Sequence, residues 1–167
     1  MCVDNGIVFI SGGRKVKLCN SVIALIKKYR QLNAEDAEAG GVLIARENRE
    51  GNTLVIEYAT EPMVEDLRNR YRFYRKDQGH LDFYKKVYSE NQGVYAYIGE
   101  WHTHPEQIPH YSIIDTKNWK RISKQSNLMP QFHLIAGISA FRIWEVLRNR
   151  PPRKMLEIEW DATQIEC

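Results

Sequence analysis

The sequence predicts an α+β domain in which a mixed β-sheet is covered by helices. Three observations predict it. Apolar residues recur at helical spacing in two stretches and a third is helical in composition, two strand-like runs face each other across a short turn, and three more such runs lie towards the end of the chain. With 167 residues, 43% of them hydrophobic, there is enough for one core of ordinary size, so residues 1–167 are expected to form a single domain.

Asn20 is the expected N-cap of a helix over residues 20–31, NSVIALIKKYRQ, where Val22, Ile23, Ile26 and Tyr29 share one face. Residues 40–47 and 52–60 are rich in β-branched and apolar types, and the intervening NREG marks a hairpin turn. A second helix is expected over residues 80–91, with Leu81, Tyr84, Val87 and Tyr88 on one side, closing into the loop NQG. The next run, VYAYIGEWH, alternates like a strand. Residues 112–125 are helical in composition, and QFHLIAGIS, FRIWEVLR and KMLEIEW read as strands, with Pro151 and Pro152 turning the chain before the last. No repeat, low-complexity segment or linker interrupts the order.

Several classes are excluded early. Lys and Arg total 24 against 21 Asp and Glu, and a net charge of +3 is too mild to indicate nucleic acid without a local patch. Cys2, Cys19 and Cys167 are odd in number and lack C-x-x-C spacing, so neither a disulfide framework nor a thiolate metal site is expected. No apolar run approaches the roughly 18 residues of a membrane span, and MCVDN does not begin a signal peptide. The expectation is a cytoplasmic protein without membrane contact.

The chemistry concentrates in GEWHTHPEQIPHYSIID, residues 99–115. On an extended strand, Glu100, His102 and His104 point one way while Trp101 and Thr103 point the other. Pro105 ends the strand, and Ser112 followed by Asp115 has the N-cap to N3 spacing of a helix start. Two imidazoles and one carboxylate are the ligand count of a catalytic zinc site with its fourth position open to water. Attack on an amide also needs a carboxylate to take a proton from that water and return it to the departing amine. An E-x-G-G element supplies Glu38 ahead of an earlier strand. H-x-H alone is common on strands and S-x-x-D alone is usually a cap; the weight lies in their occurring together with Glu38.

These residues resemble the JAMM, or MPN-plus, zinc metallopeptidases, whose signature is a glutamate before a Gly-rich strand and then H-x-H-P-x6-S-x-x-D. The match runs through Glu38-Ala39-Gly40-Gly41, His102, His104, Pro105, Ser112 and Asp115. The resemblance implies the MPN fold, one Zn2+ per chain bound by His102, His104 and Asp115, Glu38 as general acid/base, and Ser112 as a support for the oxyanion. A closer likeness is to the stand-alone bacterial branch, in which an R-x-D-x-G-H stretch, here Arg75, Asp77, Gly79 and His80, precedes G-E-W-H-T-H-P. His110-Tyr111 stands before the serine where Pro and Ser are more usual in that branch. Several of its members lie beside E1- and E2-like proteins in antiphage operons of the cGAS-like signalling type, known as CBASS. The implied partner is a protein with an extended C-terminal tail, a cGAS-like nucleotidyltransferase or a ubiquitin-like conjugate, and an E1-E2-like conjugating enzyme is implied beside it. Two other readings stand: trimming of a ubiquitin-like or sulfur-carrier precursor, and a non-catalytic, zinc-stabilised binding module, against which the intact Glu38 argues.

Residues 67–76, LRNRYRFYRK, interleave basic and aromatic side chains. They read as a substrate-binding flap that grips an extended tail through strand addition and contacts from arginines such as Arg72 and Arg75, as an amphipathic edge, or as a nucleic-acid patch. The first is preferred, and nucleic acid is not expected as a partner. Glu100 reads either as a carboxylate orienting a ligand imidazole or as a solvated strand residue. Trp119 is expected in the core and His133 is expected to be a satisfied core histidine, while His80 and His110 are placed only near the groove.

Overall fold

The computed structural model describes residues 5–125 and 129–162; Cys2, Cys167 and the first four residues, on which expectations were placed, lie outside them. Ahead of the first expected helix stands a hairpin that the sequence reading did not include, β1 (Gly6–Ser11) paired with β2 (Arg14–Cys19). Its turn is Gly12-Gly13, with φ of 56° and 78°, the two positive values that a two-residue hairpin of type I′ needs and glycine adopts freely.

Helix α1 (Asn20–Lys27) buries Val22, Ile23 and Ile26 as expected, but stops earlier than the predicted span. Cys19, not Asn20, holds the N-cap position, and Asn20 donates its backbone N–H to the carbonyl of Asn5. Tyr29, beyond the helix, packs its ring 5.8 Å from that of Trp101. Strands β3 (Gly40–Asn48) and β4 (Thr53–Ala59) form the expected antiparallel hairpin. A small separate hairpin, β5 (Leu67–Asn69) with β6 (Arg72–Tyr74), leads to α2 (Gly79–Glu90). Then follow β7 (Tyr95–Thr103), α3 (Ile113–Ser123), β8 (Gln131–Ala136), β9 (Ala140–Val146) and β10 (Arg153–Glu159).

The described residues form a mixed sheet in the order β1-β2-β4-β3-β7-β8-β9-β10, with β2–β4 and β7–β8 parallel. It curls strongly: Ser11 of β1 donates its hydroxyl to the Glu145 carboxylate of β9, and Phe9 meets Phe132 of β8 edge-on at 5.5 Å. Alternation along each strand divides the apolar residues between two faces. Leu43, Ala45, Trp101, Phe132, Leu134, Phe141 and Ile143 fill the main core with α1. Val42 and Ile44 pack under Val87 of α2, while Ile135, Trp144 and Val146 pack under Trp119 of α3. The sheet is thus covered by helices on both faces, as the α+β reading requires.

Gly99 is the tightest point between β7 and β8. A Cβ there would lie 1.8 Å from the carbonyl oxygen of Phe132, beside a register shift between β3 and β7. Gly99→Ala is therefore expected to cost about 3 kcal/mol through forced backbone displacement, measured as a lower urea midpoint.

Candidate metal centre

Two backbone devices bring distant residues together. On the β3 side, Thr103 donates its N–H to the carbonyl of Ala39 at 2.8 Å, and its hydroxyl accepts the Ala39 N–H at 2.9 Å while donating to Gln31. Glu38, one residue earlier, is thereby held over the end of β7. The glycines of E-x-G-G make this approach possible. A Cβ on Gly40 would come within 2.5 Å of the Phe73 ring and 2.7 Å of the Trp101 carbonyl, and one on Gly41 within 2.1 Å of the Thr60 carbonyl. On the α3 side, Ser112 is the N-cap of a complete capping box. Its hydroxyl accepts the Asp115 N–H at 3.1 Å, and Asp115 Oδ2 accepts the Ser112 N–H at 2.6 Å.

Between these elements, Trp101 and Thr103 point into the core while His102 and His104 face Asp115. The Nε2 atoms of the two histidines are 3.0 Å apart, His102 Nε2 is 3.2 Å from Asp115 Oδ1, and His104 Nε2 is 3.5 Å from Asp115 Oδ2. A tetrahedral cation with ligand bonds of ~2.1 Å places its ligands about 3.4 Å from one another, so the donor set fits one such ion. Glu38 stands at the side, with Oε1 4.0 Å from His104 Nε2, and is 5% exposed. Glu106, which the sequence reading passed over, has Oε2 3.1 Å from His104 Nδ1 and also accepts the N–H of His110. It fixes the ring so that Nε2 faces the centre. A carboxylate two residues past the second histidine, just beyond the strand-ending proline, was the available signal.

The electrostatics separate the two inner carboxylates. Burial raises the Glu38 carboxyl to about 7, against the pull of His102. Burial acts in the same direction on Asp115, but the hydrogen bond and charge of His102 and the donors of Ser112 outweigh it and hold that carboxyl well below the usual range. His102 resists its own burial through Asp115 and is raised, whereas burial and the neighbouring His102 lower His104. One carboxylate is thus a fixed anion; the other is poised to exchange a proton near neutrality.

The centre forms the floor of a cavity of about 520 Å3. Tyr71, Arg72, Phe73 and Tyr74 of the small hairpin make one wall, and Ile114 and Asn118 of α3 line the other. Arg72 lines this groove. Arg75 does as well, but its guanidinium is bound to Glu100 at 2.8 and 3.2 Å, which places Glu100 against an arginine rather than a ligand imidazole. Arg68 and Arg70 point elsewhere: Arg68 donates to the carbonyls of Glu38 and Ala37, and Arg70 to those of Asn33 and Ala34. Trp119 is buried among Ile135 and Trp144, and its ring stacks on His133 at 4.9 Å. His133 is fully buried, accepts the Glu100 N–H, and is pushed down by burial to about 3. His110 lies exposed at the groove. His80, by contrast, is not at the groove but wholly buried behind the hairpin.

A family profile described as prokaryotic homologues of the JAB domain matches residues 24–148. The chain is 39% identical over 146 residues to an Escherichia coli (strain TW11681) protein named CD-NTase/cGAS isopeptidase, covering 87% of this chain and 91% of that one. It is 36% identical over 124 residues to a Pseudomonas aeruginosa protein of the same name, covering 74% and 77% respectively. A Vibrio cholerae serotype O1 protein, again of that name, is 35% identical over 128 residues, covering 75% and 78%. Among solved structures, the solution structure of a Desulfitobacterium hafniense protein superimposes with a TM-score of 0.53 over 86% of this chain and 90% of that one, at 16% identity, a likeness of fold.

The donor geometry leads to a measurable expectation. Purified protein should carry one equivalent of zinc by elemental analysis, His102→Ala and Asp115→Ala should carry none, and Glu106→Gln should bind zinc about 10- to 100-fold more weakly.

Proposed function

The chain belongs to the prokaryotic homologues of the JAB domain, and on that premise we propose that it is a zinc-dependent isopeptidase. Its substrate is a cGAS-like nucleotidyltransferase joined through its C-terminal tail to another protein, and its setting is a CBASS-type antiphage system with an E1-E2-like conjugating enzyme. The observation that carries the reading is the convergence of His102, His104 and Asp115 on one point with Glu38 beside it. The names of the three relatives support the choice of substrate.

A zinc ion held by His102, His104 and Asp115 supplies a Lewis acid that acidifies water and polarises a carbonyl. The protein's own groups do the rest. The substrate tail lies in the groove beside β6, where Arg72 meets the tail's carbonyls or acidic groups. Glu38 takes a proton from the attacking water and delivers it to the departing lysine or α-amine as the C–N bond breaks. Burial raises this carboxyl, which favours its holding the proton between the two transfers. Ser112 accepts the Asp115 N–H at its oxygen, and its hydroxyl hydrogen, which lies beside the Asp115 carboxylate, can turn to the oxygen on which negative charge develops. Tyr71 and Phe73 narrow the groove above the reacting bond and limit the water that reaches it.

The test is intact-mass analysis of a cGAS-like nucleotidyltransferase fused through its C-terminus to a reporter protein. Wild type should release the reporter at one bond, and chelator-treated protein should release none. Glu38→Gln should be inactive while retaining its zinc. Release that persists in Glu38→Gln, or no release by zinc-loaded wild type, would overturn the assignment.

Ser112→Ala separates the two roles of the serine. Loss of an oxyanion donor should lower turnover about 100- to 1000-fold, whereas loss of the cap should cost only about 1 kcal/mol in denaturant unfolding.

A further inference from the structure

The small hairpin is held at its tip, where Glu38 donates its N–H to the Asn69 carbonyl, Gln31 donates to the Arg70 carbonyl, and Arg68 and Arg70 donate to backbone carbonyls of residues 33–38; its legs are fastened separately. It has three residue pairs, Leu67↔Tyr74 to Asn69↔Arg72, and an isolated two-stranded ribbon is marginal at best. The R-x-D-x-G-H stretch fastens the legs, and each of its four residues ties the ends of the hairpin to something fixed. Arg75 is bound to Glu100 of β7. Asp77 accepts the N–H groups of Glu65 and Gly79. Gly79 lets Met63 approach, since a Cβ there would lie 2.5 Å from its sulfur.

His80 is the fourth. It is 0% exposed, with Nε2 2.8 Å from Asp66 Oδ2 and Nδ1 2.6 Å from Thr60 Oγ1. Asp66 also accepts the N–H groups of Met63, Lys76 and Asp77, one from the incoming leg of the hairpin and two from the outgoing leg. An acceptor-only carboxylate assigns the proton to His80 Nε2, which leaves Nδ1 to accept the Thr60 hydroxyl. Thr60 is tied in turn to the catalytic sheet: its hydroxyl oxygen accepts the Val42 N–H of β3 and its carbonyl accepts the Trp101 indole N–H of β7. A continuous chain of hydrogen bonds therefore runs from both legs of the hairpin to the two strands that carry the metal centre. Neither His80 nor Thr60 lines the groove.

We propose that Asp66, His80 and Thr60 are positioning residues, a buried clasp that holds the β5–β6 hairpin over the metal centre in the register that a peptide tail needs. The role assigned to the hairpin rests on the isopeptidase reading; the clasp itself is read from the hydrogen bonds. The hairpin touches the tail and also holds Glu38, which donates its N–H to the Asn69 carbonyl and accepts the Arg68 guanidinium at its own carbonyl, so loss of the clasp acts on substrate capture and on proton transfer together.

The test compares His80→Asn, Thr60→Val and Thr60→Ser with wild type. His80→Asn and Thr60→Val should speed amide hydrogen exchange across residues 67–74 about tenfold or more while β3 and β7 keep their protection and zinc stays at one equivalent. On the nucleotidyltransferase fusion, kcat/KM should fall about tenfold or more, and Thr60→Ser, which keeps the hydroxyl, should restore both exchange and kcat/KM. Unchanged exchange in residues 67–74, or a loss of zinc and of protection throughout the sheet, overturns the proposal, as does failure of both His80→Asn and Thr60→Val to fold. If wild type cuts no fusion, the isopeptidase reading fails, and the exchange measurement still decides the clasp.

Discussion

The metal centre depends on the close antiparallel contact between β3 and β7. Gly40 pairs with His102, and Ala39 and Thr103 are joined by both main chain and side chain. That contact puts a carboxylate from residue 38 beside imidazoles from residues 102 and 104, although three strands and a helix lie between β3 and β7 in sequence. It requires Gly40 and Gly41 to lack side chains, because the Phe73 ring and the Thr60 carbonyl occupy the space that a Cβ would take. The E-x-G-G motif is therefore one constraint with two parts: the glutamate is positioned only if the glycines let β3 come in. The same glycine admits Phe73, so the groove wall and the proton carrier are set by a single close approach.

The site divides its charge in a way that suits both a cation and a proton transfer. Asp115 is held ionised by His102 and the Ser112 donors, while burial leaves Glu38 near neutrality. Two carboxyls in one pocket with opposed environments are the arrangement from which a fixed ligand and a movable proton follow. Outside the pocket, the arginines of the hairpin are not a uniform basic surface. Arg68 and Arg70 are committed to backbone carbonyls and Arg75 to Glu100, which leaves Arg72 as the hairpin arginine facing the groove.

Much of this was legible in the sequence where the signal was local. Strand alternation separated His102 and His104 from Trp101 and Thr103, and the S-x-x-D spacing located the start of α3. The hairpin β1–β2 has a local signal too, since Gly12-Gly13 sits between the apolar run IVFI and the alternating run RKVKLC. The placement of His80 was not legible. Its partners are 14 and 20 residues away, and nothing local tells a histidine at a groove from one sealed behind it. The arginine pattern misled for a related reason: alternation of Arg with aromatic residues shows which face a side chain takes, not whether a free carbonyl waits on that face.

Ser112 shows how helix formation and chemistry come to use the same atoms. A helix start needs an acceptor for its first free N–H groups, and the serine oxygen takes that of Asp115. The box closes when Asp115 returns a bond from Oδ2 to the Ser112 N–H, and this fixes the carboxylate with Oδ1 towards His102. The interaction that starts α3 is thus also the one that aims the ligand. The serine hydroxyl, at the mouth of the groove, keeps one polar hydrogen that serves the Asp115 carboxylate until another anion competes for it. An oxyanion forming there meets a donor whose oxygen is already held by the helix, so that only the hydroxyl hydrogen has to turn.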